Sequence, residues 1–430
     1  MKSIAKSGYK LLVSPTGHLA VFLAMYLLMA VEYVRFVYRN YSYIMGFDFH
    51  AAPVPILAGL LFVAILTYVM FILPRPDNNS YTISMIVSLL FCLPSIVMFQ
   101  LGRVTIFLPI YTLLFLILLR TPLMEMKQWR LPRIPVRLQR FVLPAICILC
   151  LIPFPLAYGG FHFDLSLFDM GLHTYDVRAE VTAKDTLLTS YLMGPLRMVL
   201  LPLLIVIGLT DIKRNWWMTA IGVLAMLFLY MLNPEKSTLF SIAVVLLFFL
   251  FKSHHAKSGM ILYGIAAICA ASALLNLTTG NLMAESIILR RIFFIPVIVS
   301  DNYFTFFDGH PMLLSHSFLH HWFDYPYGVE PSHLIGEMMY NRTTTNCNTG
   351  IVADGFMNFG HIGAILFVAG GALFIRLVGA QMDNPRFFGL LALLVYTFLN
   401  SALFTSLLTH GGLVLLLAVC FLIPHQQTQP

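Results

Sequence analysis

Long apolar runs constrain this chain more than any other feature of its sequence. Twelve stretches, at approximately 17–34, 52–74, 81–101, 104–119, 141–158, 187–210, 216–232, 237–251, 260–277, 355–377, 387–409 and 411–424, are apolar. Most come close to the ~20 residues a helix needs to cross a bilayer. With 59% hydrophobic and 10% charged residues, the chain falls far below the roughly one quarter charged of an average soluble protein. That excludes a cytosolic enzyme, a DNA-binding factor and a secreted disulfide scaffold. The expected fold is an all-α polytopic integral membrane protein, one membrane domain over residues 1–430 with about 12 transmembrane helices. The first run follows Lys2, Lys6 and Lys10 as a signal peptide would. It continues to Tyr33 without a small-residue cleavage site, so it is expected as an uncleaved first helix.

Cysteine use agrees. Cys92, Cys147, Cys150, Cys269 and Cys420 lie in apolar runs, which leaves Cys347 alone in a polar loop with no disulfide partner. The CxxC of Cys147 and Cys150 lies inside an apolar span with no ligand histidine nearby, so it reads as packing.

Charge orients the chain. With the N-terminus in the cytoplasm, the inside segments hold sixteen of the 26 Lys and Arg, six of them between Arg120 and Arg140. They hold only four of the 19 acids, Asp77, Glu125, Asp211 and Asp383. This follows the positive-inside rule. The basic balance is therefore a signal of topology, and no nucleic-acid partner is expected. Two outside loops, 159–186 and about 278–354 between helices nine and ten, are too long to be simple connectors.

Those loops carry the chemistry. The shorter one contains YDVR at Tyr175–Arg178. Arg197 follows within an apolar run, where an arginine must face protein or a wet cavity, for example paired with Glu32 of the first helix. NPEKST (233–238) places Lys236 at a turn, as a functional cation or as a snorkelling lysine beside a helix cap. In the long loop, Arg290 and Arg291 are flanked by Ile287, Ile288, Leu289, Ile292, Phe293 and Phe294, the pattern of a helix lying at the interface. Guanidinium groups at that depth suit a lipid-linked phosphate or pyrophosphate through their planar fork, or simply anchor to lipid headgroups. His310, His316, His320, His321 and His333 follow among aromatic and acidic residues suited to sugar rings. One of them is positioned in pKa to serve as a general base. No HExxH, GxxxxGK[ST], Rossmann GxGxxG, DxD or GxSxG appears, so neither metal nor nucleotide cofactor is expected. An outside enzyme without nucleotides needs a substrate that arrives activated, such as a sugar on a polyprenyl pyrophosphate.

The ordered set YDVR (175–178), PEKST (234–238), RRIFFIP (290–296), NYFTFFDGHP (302–311), HLIGEMMY (333–340) and NCNTGIVADGFMNFGHIG (346–363) resembles the bacterial Wzy-type O-antigen polymerases. The resemblance covers about residues 175–363, and the first four helices add only topology. It implies a GT-C-like membrane glycosyltransferase of the inner membrane with both termini cytoplasmic. The glycan on undecaprenyl pyrophosphate would be the donor and a lipid-linked repeat unit the acceptor, at the periplasmic face, with a chain-length regulator as partner. On that reading Arg290, Arg291, Arg178 and Lys236 are expected at the pyrophosphate. His316 is expected as base with His310 second, and Tyr303, Asn346, Asn348 and Asp354 toward sugar, the last three alternatively as a helix cap. Gly360 and Gly363 are expected to permit close helix packing. An O-antigen ligase would use the same chemistry at the pyrophosphate. A lipid-linked oligosaccharide flippase would instead need polar groups near mid-membrane, where Glu32, Arg103 and Arg197 are the few available. A membrane acyltransferase lacks its HxxxxD pair.

Overall fold

The computed structural model describes residues 14–74, 78–121, 126–129, 131–158, 177, 180–181, 183–317 and 319–423. Among these there is helix and no strand. In chain order the principal helices are α1 (Pro15–Tyr41), α2 (Pro53–Phe71), α3 (Asn79–Leu101), α4 (Phe107–Arg120), α5 (Arg137–Tyr158), α6 (Leu187–Thr210), α7 (Ile212–Leu232), α8 (Lys236–Leu250) and α9 (His254–Thr279). They continue with α10 (282–307), α11 (Pro331–Tyr340), α12 (Ile351–Gln381), α13 (Pro385–Asn400) and α14 (Leu403–Phe421). Nine of the described helices are long and apolar enough to cross a membrane, while α4, α8 and α13 are apolar but shorter. Eleven of the twelve apolar runs each fall in a single one of these helices, whereas the run at 387–409 is broken after Asn400, so that its end belongs to α14 together with the last run. The chain is a multi-pass membrane protein. The stretch 278–354 is no continuous loop, because α10 and α11 occupy much of it.

Local chemistry sets the helix ends. The Ser14 hydroxyl accepts from the Gly17 N–H at 3.3 Å, with Pro15 at the first helical position. At α6 Thr186 and Thr189 form a reciprocal capping box, the Thr189 hydroxyl accepting from the Thr186 N–H at 2.9 Å. Gly280, left-handed at φ 72°, stops α9.

Among the described residues four stretches widen to π-helix: Tyr33–Tyr38, Ser88–Cys92, Leu196–Leu200 and Ser286–Phe294. Proline explains three of them. Pro94, Pro202 and Pro296 lack an N–H and crowd the carbonyl four residues back, at Leu90, Met198 and Ile292. Each of those residues lies inside a widened stretch, where the carbonyls of Ser88, Leu196 and Arg290 accept the N–H five residues ahead, from Leu93, Leu201 and Ile295. Three of the four stretches carry the arginines Arg35, Arg197, and Arg290 with Arg291.

The chain forms two compact units. The first comprises residues 1–125, 253–376 and 398–403, with α1–α4, α9–α11 and most of α12. Its centre is α3, 89% buried, whereas α2 and α9 are 28% buried and keep leucines such as Leu57, Leu61, Leu274 and Leu277 exposed. Such apolar rims are stable only against lipid. Gln100 fastens α3 to its neighbours by accepting from the Tyr26 hydroxyl at 2.9 Å and donating to the Ile56 carbonyl at 3.2 Å. Glu32 finds its partner one turn along α1, where Arg35 donates to it at 2.8 Å and reaches across to Glu285 of α10 at 2.5 Å. The second unit comprises residues 126–252, 377–397 and 404–430, with α6 as its 83% buried centre. Here Arg197 pairs with Glu235 of the NPEKST turn, so the Glu32 partnership expected from sequence gives way to nearer partners for both residues.

α12 is interrupted. Phe359 (φ −141°, ψ 22°) and Gly360 (φ 62°, ψ −150°) are non-helical, and the chain doubles back so that Gly355 and Gly363 pack backbone to backbone. A Cβ on Gly363 would sit 2.1 Å from the Gly355 carbonyl oxygen, so close packing is the role of Gly363 as expected. Gly360 has open space around it and is required for its backbone conformation, a correction to the packing role expected for it.

Candidate functional site

Within the first unit a polar cleft of about 730 Å³ lies between three segments far apart in sequence. Residues 42–48, between α1 and α2, supply Tyr43 and Asp48. The π-helical stretch of α10 supplies Arg290, and the end of α11 with its following turn supplies Tyr340, Asn341 and Arg342. Asn341 is left-handed (φ 53°) and closes α11 through its N–H to the Glu337 carbonyl at 2.7 Å, which turns Arg342 back onto the cleft.

Arg290 is half-buried and held on two sides. Its Nε donates to the Ser286 hydroxyl at 3.0 Å, and its guanidinium carbon lies 4.3 Å from the centroid of the Tyr41 ring. Burial raises the pKa of the Tyr340 hydroxyl, and the charges of Arg290 and Arg291 act on it in the opposite direction. Two arginines against the single carboxylate of Asp48 leave the cleft positive. Flat, preorganised guanidinium groups bind phosphate oxygens in pairs.

A second feature of the same unit surrounds His316. Leu313 and Leu314 are both left-handed (φ 51° and 58°), at a cost of roughly 1–3 kcal/mol each for such residues. The interrupted α12 holds them there. The Met312 and Leu313 N–H groups donate to the Met357 and Asn358 carbonyls at 2.9 and 3.0 Å, capping the broken helix end. The Leu314 N–H donates to the Asn358 side-chain oxygen at 2.9 Å. Beyond this clamp, Ser315 Oγ and His316 Nδ1 are buried without a hydrogen-bond partner among the described residues. Such orphaned polar atoms cost ~1–3 kcal/mol each. Burial lowers the pKa of the His316 imidazole, with Glu330 opposing, so it favours the neutral, proton-accepting form.

The structure separates the residues the sequence grouped. Arg291 is exposed and outside the cleft lining. Lys236 is exposed at the start of α8 and belongs to the second unit. Arg178 and most of YDVR lie outside the described residues. His310 is exposed, its Nδ1 3.0 Å from the Asp308 carbonyl. Tyr303 is buried and its hydroxyl donates to the Cys347 carbonyl at 3.0 Å, so it secures the turn before α12. Asn346 and Asn348 are exposed on that turn. Asp354 is enclosed with both oxygens engaged, by the Asn358 amide at 3.0 Å and the Leu403 N–H at 2.8 Å. His316 faces Glu330 at the start of α11, whereas Arg290 meets its other end. Ten residues of α11 span ~15 Å between them.

Asp48, Tyr43, Arg342 and Asn358 were not singled out from sequence. The first two fall in a short connector that the motif order does not reach. Arg342 stands without a neighbouring cation to draw notice.

No family model, curated protein or solved structure matches the chain.

Proposed function

We propose that the protein is a glycosyltransferase that polymerises glycan repeat units carried on undecaprenyl pyrophosphate, with no metal or nucleotide cofactor. The observation that carries this reading is Arg290, laid on Tyr41 and facing a polar cleft that it shares with Arg342 and Asp48. An acceptor hydroxyl attacks the sugar carbon bonded to the donor pyrophosphate. The new glycosidic bond forms as the carbon–oxygen bond to pyrophosphate breaks, and the hydroxyl proton passes to a base. Charge develops on the departing pyrophosphate, where preorganised cations stabilise it most. A base must lie within about 3 Å of the proton it takes. Asp48 meets the leaving group in one cleft, and His316, at the far end of α11, requires the acceptor to extend along that helix. Asp48 is therefore the base this reading favours, in place of His316.

On this reading the nine long helices and the three shorter ones cross the inner membrane with both termini cytoplasmic, in a GT-C-like arrangement. The cleft opens to the periplasm, and a chain-length regulator acts alongside. The test is purified protein in lipid with synthetic undecaprenyl-pyrophosphate repeat units. A product ladder with released lipid pyrophosphate, without added nucleotide or metal, is expected. Product only when lipid A core is supplied identifies a ligase, and no product from folded protein with its native repeat unit points to transport.

A further inference from the structure

The second unit holds a separate cleft of about 190 Å³, below the ~300–1,000 Å³ of sites for drug-sized ligands and suited to one ring. It is assembled from segments distant in sequence: Tyr158 of α5, Asp185 before α6, Arg197 of α6, Asn233 and Glu235 of the NPEKST turn, and the backbone near Thr409 of α14. Its parts are prearranged. The Arg197 side chain is 9% exposed and pairs with Glu235, and its Nε has no hydrogen-bond partner among the described residues. Asn233 reinforces the pair by donating to Glu235 Oε1 at 3.3 Å. The Tyr158 and Thr189 hydroxyls both donate to Oδ1 of Asp185, the latter at 3.2 Å, which fixes the carboxylate, and its Oδ2 has no hydrogen-bond partner among the described residues. Two carboxylates against one guanidinium make this cleft negative, opposite in sign to the cleft of Arg290. A phosphate is repelled here, whereas hydroxyl groups find acceptors in the carboxylates and a donor in the arginine.

We propose that this cleft binds a single uncharged or amino sugar ring, with Asp185 as its principal hydroxyl acceptor and Arg197 and Asn233 fixing the wall it rests on. The site stands on its own geometry. Only its assignment to the glycan of a lipid-linked repeat unit rests on the glycosyl-transfer reading. Asp185 is exposed, so Asp185→Asn leaves the fold intact, whereas altering Glu235 would strand the buried Arg197 charge.

The test is saturation-transfer NMR on the full chain in lipid nanodiscs, with a panel of free hexoses, 6-deoxyhexoses, N-acetylhexosamines and hexosamines. Line broadening of inorganic pyrophosphate by phosphorus NMR is recorded alongside. At least one sugar is expected to give a transfer signal that Asp185→Asn reduces at least tenfold and Arg290→Ala leaves unchanged. A panel without signal, a signal that survives Asp185→Asn at unchanged thermal stability, or one abolished by competing pyrophosphate would overturn the site. Loss of pyrophosphate broadening in Arg290→Ala, or its absence in the native chain, bears on the other cleft alone, so the two readings fail separately.

Discussion

The side-chain oxygen of Asn358 accepts the backbone N–H of Leu314 at 2.9 Å, and this contact joins two backbone hydrogen bonds by which the interrupted α12 holds the strained turn that leads to His316. The Asn358 amide in turn donates to the Asp354 carboxylate, whose other oxygen accepts from Leu403. Asn358→Ala removes a completely buried link and strands two partners, at about 1–3 kcal/mol for each unmet group. Its melting temperature in detergent should fall by several degrees, and an unchanged value would show that the chain tolerates the turn without the clamp.

Replacement separates the two adjacent arginines. Arg290 is used as a plane, stacked on Tyr41, so Arg290→Lys should behave nearly as Arg290→Ala and abolish polymer at normal protein level. Arg291 is exposed and contributes charge, so Arg291→Lys should retain chain lengths close to the native distribution. Equal defects in both lysine variants, by gel analysis of polymer, would remove the distinction.

The identity of the base is open to a direct comparison. Asp48→Asn should lower turnover by ~10²–10⁴-fold, the usual contribution of general acid–base catalysis. His316→Gln should cost far less in kcat. The reverse order would return the proton to His316.

The same histidine governs a pH effect on stability. Burial depresses its folded pKa below the ordinary value of 6.5, so the unfolded chain binds the extra proton first. Its stabilising contribution is complete above pH 6.5 and is lost as pH falls through the lower folded value. Melting temperature should therefore decline on acidification below that point, and the decline should be shallower in His316→Gln. Identical slopes would mean that other groups dominate.

Gly360 offers a backbone test. Its φ of 62° with ψ of −150° lies in a region nearly restricted to glycine. Gly360→Ala should destabilise by ~1–3 kcal/mol although no neighbour blocks the added methyl. A loss below that range, from thermal or denaturant unfolding, would show that the break in α12 relaxes easily.

Much of the helical framework was legible because it follows from local rules. Apolar runs located the helices, and Pro94, Pro202 and Pro296 mark three of the four widened stretches by a mechanism internal to the chain. The Tyr33–Tyr38 stretch carries no such mark. Arg35 stands three residues from Glu32, so spacing alone could have predicted their pairing and left Arg197 to Glu235. The cleft was less accessible. Residues 42–48, Arg290 and Arg342 meet only through tertiary packing, and apolar periodicity says nothing about which connectors come together. The interruption of α12 was hidden too, since Gly360 within an apolar run reads like any helix-packing glycine.

A π-helical turn contains one residue more than the α-helical turn it replaces, and that extra residue works as a phase shift. Every side chain beyond it is turned by roughly 100° relative to an unbroken α-helix. In α10 the shift spans Ser286–Phe294 and includes Arg290 itself. Deleting a single residue just before Arg290 would rotate everything beyond it by about that angle, while Pro296 would still withhold its N–H from the ladder. That rotation would swing the guanidinium away from Tyr41 and out of register with Arg342. The irregular winding of α10 is thus an angular setting, and a more regular helix would be a miswired one.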